Sequence, residues 1–188
     1  MEELKNYLIN IGLSISQVEK LSEIFDKRIK LKRDELFHKA NHTCNSLGFI
    51  VNGMCRHFYD TEKTEVTRWV ALPNEFVTSL GSFITQLPSS ECIQAIKPTE
   101  LIVAKKQDWQ NLYNKEEFVR QLWVKNIESN YVGMENRVFN LIAMTAEERY
   151  EWMLNNQPQF NQYVPDKYVA SMLGILPRHL SRIRARKK

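Results

Sequence analysis

Apolar side chains in the first part of the chain recur at helical spacing. The repeat runs over residues 2–25 and is interrupted at Gly12 and Ser14. Glycine and serine are poor residues for a helix interior, so the pattern predicts two short helices and not one. Ser16 is the expected cap of the second helix, because a serine hydroxyl can accept a hydrogen bond from a free amide of the first turn.

From Lys27 to about Lys105 the pattern changes to short apolar runs separated by turn residues. Runs of this kind predict short strands, including one over Phe76 to Leu80. The pair Asn52-Gly53 lies between two of the runs and is typical of a hairpin turn. Many short strands at this spacing favour a barrel or a jelly roll.

Between Lys115 and Met144 the apolar residues return to helical spacing, and the interval contains no proline. A helix of that length usually packs against another helix, so we expect a dimer interface along its apolar stripe. A helix that lies on its own strands is the alternative. The expected interface residues are Leu122, Ile127, Tyr131, Met134 and Val138.

The next segment contains a second helical stretch and a connector. Thr145 with Glu148 has the spacing of a capping box, which predicts a helix that runs to about Asn155. Pro158 is expected to end this helix, and residues 157–163 are expected to form a polar connector.

Residues 163–188 combine two short helices, a turn and a basic face. Pro165 and Pro177 each suit the start of a helix, and Gly174 between them can adopt the positive φ of a turn. In the second helix an apolar stripe lies opposite a basic one. This arrangement is typical of a helix-turn-helix, whose second helix enters the major groove of DNA.

The basic face of that second helix supplies the candidate DNA contacts. Arg178 and Arg182 are four residues apart and suit contact with bases or backbone, because arginine pairs bidentately with guanine. The residues expected to contact phosphate are His179, Ser181, Arg184 and the tail from Arg186 to Lys188.

Positive charge is concentrated at this end of the chain. The last eleven residues hold six Lys or Arg and no acid, whereas the whole chain carries +4 with histidine neutral. Subtracting those six cations (+4 − 6 = −2) leaves residues 1–177 slightly acidic. The concentration of charge favours contact with phosphate. A solvated basic tail on an ordinary pair of helices is the alternative.

Composition narrows the class of protein. An apolar content of 43% and a charged content of 26% are ordinary for a soluble globular chain. The sequence lacks a run long enough for a membrane span, and its acidic start is unlike a signal peptide, so we expect a cytoplasmic protein without membrane contact. Three widely spaced cysteines without a CxxC pair argue against a disulfide framework, a zinc site or an iron–sulfur cluster.

The histidines and short motifs do not favour an enzyme. The sequence contains no HxH motif, and His57 has no partner at the spacing of metal ligands. No GxSxG motif, glycine-rich phosphate loop or Walker motif is present. We therefore expect no cofactor, no metal and no catalysis.

Three stretches together resemble the Crp–Fnr superfamily of bacterial transcription regulators. FIVNGMCRHFYDT is similar to a central hairpin of the sensor roll, and LPNEFVTSLGSF is similar to the segment that leads into its effector pocket. VPDKYVASMLGILPRHLSRIR is similar to the helix-turn-helix. The three occur in the order and with the spacing of the superfamily, and the resemblance covers nearly the whole chain.

The resemblance implies an α+β chain in three parts. Residues 1–114 would form an N-terminal double-stranded β-helix (jelly-roll) sensor with its helical lead-in, residues 115–144 a long dimerisation helix, and residues 145–188 a helix-turn-helix domain. It also implies a homodimer that binds double-stranded DNA and acts with RNA polymerase.

The candidate effector pocket departs from the cyclic-nucleotide-binding members of the superfamily. Ser79 stands at the position of the glutamate that holds the ribose, and Ser89 or Ser90 stands at the position of the arginine that binds the cyclic phosphate. Glu91 would repel the anion, and Arg68 is a possible substitute cation. We therefore expect no useful binding of cyclic nucleotides, and the sequence does not name another effector.

The sequence is thus interpreted as a dimeric DNA-binding transcription regulator with a degenerate sensor roll. The alternative is a small-molecule-binding or partner-binding roll with a vestigial DNA reader, which would act as an interaction module. An enzyme built on the jelly roll comes third.

Overall fold

The computed structural model describes residues 1–186, so the two last residues of the predicted basic tail, Lys187 and Lys188, lie outside the described residues. The chain divides into two compact units. The first comprises Met1–Glu65 with Trp69–Trp123, and the second comprises Val66–Arg68 with the chain from Val124 onward.

Residues 1–186 form an α+β structure, as predicted, with every described strand in the first 105 residues. The helices are α1 (Glu2–Asn10), α2 (Ile15–Glu23), α3 (Leu80–Thr85), α4 (Lys106–Lys115), α5 (Glu117–Ala143), α6 (Ala146–Asn156), α7 (Pro158–Tyr163), α8 (Asp166–Met172) and α9 (Pro177–Arg186). The strands are β1 (Lys27–Leu31), β2 (Leu36–His38), β3 (Ser46–Asn52), β4 (Cys55–Asp60), β5 (Glu65–Ala71), β6 (Phe76–Val77), β7 (Glu91–Ala95) and β8 (Thr99–Lys105).

Two short helices open the chain, as the interrupted apolar repeat predicts. The cap of α2 is Ser14, whose hydroxyl accepts a hydrogen bond from the Gln17 amide at 3.4 Å while its own amide donates to the Gln17 side chain at 2.9 Å. The prediction of Ser16 as the cap is wrong. Ser16 lies inside α2, because the reciprocal bonding of a capping box requires the serine three residues before Gln17.

The strands of residues 1–186 form two four-stranded sheets, with orders β1-β8-β3-β6 and β2-β7-β4-β5. Buried side chains from both sheets meet in one apolar cluster, which comprises Ile50, Cys55, Ala71, Val77, Ile93, Leu101 and Val103. The other face of the first sheet packs against α1, α2, α4 and the start of α5 in a second cluster. The first sheet is therefore buried on both faces.

The predicted hairpin at Asn52-Gly53 is wrong, because β3 and β4 belong to different sheets. The turn instead carries the chain from one sheet to the other. Gly53 has φ 96°, and a Cβ there would lie 2.5 Å from the Cα of Thr99. Only glycine fits at this position. The sequence therefore identified the turn correctly, but not the strands with which β3 and β4 pair.

Three helices lie where the sequence pattern predicts none. α3 follows the two-residue β6 in the segment expected to be a strand, and α4 fills the interval before the long helix. α7 begins at Pro158, inside the expected connector. Pro158 lacks the N–H that a continuation of α6 would need. The first position of a helix does not need this N–H, so Pro158 begins α7 instead of starting a loop.

The long helix α5 contains 27 residues and agrees closely with the predicted 115–144. Val119 is fully buried, and Leu122 and Trp123 pack against the core of the first unit. Beyond that point large apolar side chains are exposed in the single chain. They are Val124, Tyr131, Val132, Met134, Val138, Phe139, Leu141 and Ile142.

Helices α6 to α9 enclose a small apolar core. Its buried side chains include Tyr150, Met153, Phe160, Val164, Tyr168, Val169, Leu180 and Ile183. The capping box predicted for α6 is confirmed, since the Thr145 amide donates to Glu148 at 2.7 Å and the Glu148 amide donates to the Thr145 hydroxyl at 3.3 Å. No helix among residues 1–186 is both long and apolar enough to cross a lipid bilayer.

Candidate nucleic-acid interface and strand interior

The turn between α8 and α9 is fixed by Gly174 and by two hydrogen bonds. Gly174 has φ 68° and donates to the Ser171 carbonyl at 3.1 Å, and Ile175 donates to the Ala170 carbonyl at 3.0 Å. A Cβ at Gly174 would also come within 3.3 Å of Leu141. The positive φ and the close approach both favour glycine, as the sequence pattern predicts.

Two arginines hold the carboxyl end of α8 in place. Arg137 donates to the Met172 carbonyl at 3.0 Å, and Arg149 donates to the Leu173 carbonyl at 2.8 Å. The last carbonyls of a helix lack partners within it, so these bonds satisfy them and fix where the turn begins. Sequence reasoning missed both arginines, because each is more than twenty residues from the carbonyl that it binds.

Helix α9 has one buried face and one basic face. Leu180 and Ile183 are buried, whereas Arg178, Ser181 and Arg182 are exposed. Arg178 and Arg182 lie one turn apart on the side opposite the buried pair, as predicted. Ser181 lies on the same exposed face, and its hydroxyl donates to the Pro177 carbonyl at 3.1 Å.

The other candidate contacts of α9 are bonded within the second unit. His179 and Arg186 approach the same carboxylate oxygen of Glu147, at 4.0 and 3.4 Å. Arg184 forms an ion pair with Asp166 at 2.6 Å and hydrogen bonds with Tyr150 and Asn161. The structure thus brings Arg178, Ser181 and Arg182 together on one open face and directs Arg184 away from it.

The serines of the candidate effector pocket bond to each other. Ser79 is buried, and its hydroxyl lies 2.8 Å from that of Ser89. Ser89 also accepts a hydrogen bond from the Glu91 amide at 2.9 Å, whereas Ser90 is exposed. Arg68 is half-buried on β5 and is grouped with the second unit, whereas the serines and Glu91 belong to the first.

Glu91 carries a buried carboxylate into the interior between the sheets. Its Oε2 lies 3.4 Å from Nδ1 of His57, and both side chains are 6% exposed. His57 on β4 and His38 on β2 both lie opposite Ile93 of β7. Directly opposed residues share a face of a sheet, so the two histidines and Ile93 point to the same side.

His38 is a buried base, and its Nε2 has no hydrogen-bond partner among residues 1–186. Burial lowers the pKa of His38 from its ordinary value of 6.5, opposed by the Glu91 carboxylate and reinforced by His42 and His57. The described residues contain no group of three or more His, Cys, Asp or Glu placed to hold a metal ion. At neutral pH His38 is therefore neutral in the folded chain.

We expect acid to destabilise the folded chain through His38. Because folding lowers this pKa, the unfolded chain binds a proton below about pH 6.5 that the folded chain does not. The free energy of unfolding should then decrease as the pH falls from 6.5 toward the folded pKa, and level off below it. Urea unfolding at a series of pH values measures this slope.

His38→Asn should flatten that slope whatever its own stability, since asparagine does not titrate. His42→Asn removes an exposed histidine that reinforces the lowering of the His38 pKa, so it should reduce the native slope only in part. Equal slopes in the native chain and in His38→Asn would contradict the prediction.

No protein-family model and no curated protein sequence matches the chain significantly. Solved structures do match. FixK2 from Bradyrhizobium japonicum has 15% identity and a TM-score of 0.73, and the match covers 85% of this chain and 83% of that one. The c-di-GMP-responsive global regulator CLP of Xanthomonas campestris has 14% identity and a TM-score of 0.70, with 92% of this chain and 91% of that one covered.

A protein from Eubacterium rectale described as a transcriptional regulator of the Crp/Fnr family has 16% identity and a TM-score of 0.67. The match covers 95% of this chain and 85% of that one. Identities this low show a likeness of fold and nothing finer. Together with the sheet orders and helices described above, they show that the chain shares the α+β fold of these three structures.

Proposed function

We propose that the chain is a homodimeric, sequence-specific DNA-binding transcription regulator that acts by binding and not by catalysis. The observation that carries the proposal is the division of α9, in which Leu180 and Ile183 are buried while Arg178 and Arg182 are exposed together. Such a helix presents arginines that suit guanine in the major groove. Two of the compared structures, CLP and the Eubacterium rectale protein, are described as regulators, which agrees with this function.

In this proposal the two sheets form a jelly-roll sensor and α8, the Gly174 turn and α9 form a helix-turn-helix. The proposed domains are residues 1–114 for the roll, 115–144 for the dimerisation helix and 145–188 for the DNA reader. The regulator would act in the cytoplasm with RNA polymerase.

The proposed DNA contacts divide into two classes. Arg178 and Arg182 reach bases, because they project from the open face of α9. His179, Ser181 and Arg186 contact phosphate, after His179 and Arg186 leave Glu147 and the Ser181 hydroxyl turns from Pro177. Phosphate can replace a carboxylate as the partner of a cation, so these exposed contacts are exchangeable.

The proposal of a homodimer rests on the exposed apolar side chains of α5. Tyr131 is 67% exposed and Val138 50%, and seven residues place both on one side of the helix. Ile127 and Met134 lie along the same side. A contiguous apolar surface of this kind on a single chain usually marks an interface, and a second copy of α5 offers a matching stripe.

We expect the native chain to be a dimer and Tyr131→Asp to be a monomer. A charge placed at the interface of both copies and left unpaired costs about 3–5 kcal/mol or more, which weakens the dimer at least a hundredfold. Sedimentation equilibrium at micromolar concentration measures the change, and circular dichroism checks that the fold is kept.

Ser129→Asp is the matched control for the dimer. Ser129 is exposed two residues before Tyr131, so it projects from nearly the opposite side of α5 and should leave the dimer intact. A native chain that sediments as a monomer would refute the interface.

We also propose that the roll does not respond to cyclic nucleotides. A cyclic phosphate requires a cation or a cluster of amide donors. The candidate position instead holds the bonded pair Ser79 and Ser89, beside the buried carboxylate of Glu91. An anion placed there would meet a second negative charge in an interior from which water is excluded, which is unfavourable.

Calorimetry with cyclic AMP and cyclic GMP should therefore show no binding at micromolar concentration. The loss of a charge-assisted phosphate contact typically costs about 1.5–3 kcal/mol, and repulsion from Glu91 adds to it. Micromolar binding of either nucleotide would contradict the prediction.

Arg182→Ala and Arg186→Ala should separate base reading from phosphate contact. On the preferred duplex, Arg182→Ala should cost about 1–3 kcal/mol and relax the preference at one base pair. Arg186→Ala should weaken binding to all duplexes alike and flatten the salt slope by roughly 0.9 in log–log terms. Competition between a duplex selected from a random pool and its scrambled form, at several salt concentrations, measures both quantities.

If Arg178→Ala and Arg182→Ala each weaken the preferred and scrambled duplexes equally, α9 does not read bases. The function would then be that of an interaction module with a basic anchor.

A further inference from the structure

Arg184 differs from the other cations of α9 in what it contacts. Its side chain is 25% exposed, against 74% for Arg186. Two residues along a helix turn it by about 200°, so Arg184 faces nearly opposite to Arg182 and lies on the packed side of α9.

The guanidinium of Arg184 joins α9 to the three preceding helices. Its Nε donates to the Tyr150 hydroxyl of α6 at 3.2 Å, and its Nη2 donates to Asn161 Oδ1 of α7 at 2.7 Å. Its Nη1 lies 2.6 Å from Asp166 Oδ2 in the first turn of α8. Each of the three nitrogens therefore has an acceptor from a different helix.

The acceptors are also bonded to one another. The Tyr150 hydroxyl, whose ring is buried, donates to the same Asn161 oxygen at 3.1 Å. The Tyr150 hydroxyl thus accepts from Arg184 and donates to Asn161, which fixes its orientation. A planar guanidinium matches this arrangement, whereas a lysine ammonium is a single point of charge and cannot reach three such acceptors at once.

The hydrogen bonds of Arg184 are directional, whereas the apolar contacts of α9 are not. Burial of Leu180 and Ile183 holds the helix against the unit, but apolar contact is not directional and permits rotation and sliding. Hydrogen bonds weaken steeply when their geometry changes, so three bonds to three helices define one rotation of α9. That rotation decides where Arg178 and Arg182 point.

We propose that Arg184 is a positioning residue that sets the orientation of α9 and thereby its base preference, without contacting DNA itself. This inference rests on the proposed DNA-binding function. It assigns Arg184 a different role from the phosphate contact that its charge and sequence position indicate. The two roles predict different effects on specificity and on salt dependence.

Arg184→Lys is the first test, because it keeps the charge and removes the fork of donors. The ratio of affinities for the preferred and scrambled duplexes should fall about tenfold, as expected when one base contact is misplaced. Affinity for the scrambled duplex and the salt slope should stay at native values. A phosphate contact would instead survive the change to lysine with its ratio intact.

Two variants reach the same network without touching Arg184. Tyr150→Phe keeps the buried ring and removes the hydroxyl, and Asp166→Asn removes the charged acceptor of α8. Both should lower the ratio in the same direction as Arg184→Lys. Arg186→Gln is the matched control, since it removes an exposed cation of α9 and should weaken both duplexes equally with a flatter salt slope.

The assays are made well below the melting temperature of each variant, so that a loss of stability alone would leave the ratio unchanged. A native ratio in both Arg184→Lys and Asp166→Asn would overturn the positioning role while leaving the DNA reader intact. A flatter salt slope in Arg184→Gln, with equal weakening of both duplexes, would show a phosphate contact instead. A native chain without preference among duplexes would overturn the proposed function itself.

Discussion

Burial of Leu180 and Ile183 is the interaction on which the candidate interface depends. α9 has ten residues, a length at which an isolated helix is marginal, and arginines at positions 178, 182 and 186 repel one another at i, i+4 spacing. Each such repulsion costs a few tenths of a kcal/mol, whereas burying one aliphatic side chain contributes roughly 1.5–3 kcal/mol. Packing therefore outweighs charge, and it leaves Arg178 and Arg182 on an exposed face of α9, where cations can remain hydrated.

Polar contacts fix the orientation of α8 and α9, which apolar packing alone does not fix. Arg137 and Arg149 bind the last carbonyls of α8, and Arg184 binds acceptors on α6, α7 and α8. Because hydrogen bonds are directional, they restrict the turn and the rotation of α9 in a way that area burial does not. Three arginines that would add to a basic surface are instead used within the protein.

The first unit shows the opposite arrangement, in which polar groups enter an apolar interior. The carboxyl group of Glu91 lies 3.4 Å from Nδ1 of His57, and burial lowers the pKa of His38. Removing charges from water is costly, so these groups are a constraint on any ligand as well as on folding. The exposed apolar side of α5 is the complementary case, since contact between apolar side chains and water is unfavourable.

Local sequence patterns determined the elements whose physics is local. The capping box at Thr145, the positive φ at Gly174, the long α5 and the two faces of α9 each depend on residues within a few positions of one another, and all four were predicted correctly. So was the α+β class, because the change from short apolar runs between turn residues to helical spacing is visible along the chain. The helices α3, α4 and α7 were missed. Two of them, α3 and α7, have six residues each, too few to show a helical period, and helices this short are stabilised by packing.

Only the tertiary structure determined which strands pair and which side chains bond to each other. Asn52-Gly53 is a turn from its sequence, but its strands pair with β8 and β7 and not with each other, which no local signal reveals. Arg184 carries the same charge as Arg182, yet it bonds to Tyr150, 34 residues earlier, while Arg182 remains open. Residue type and spacing thus specify what a side chain can bind, and only the fold brings the distant acceptor within hydrogen-bonding distance.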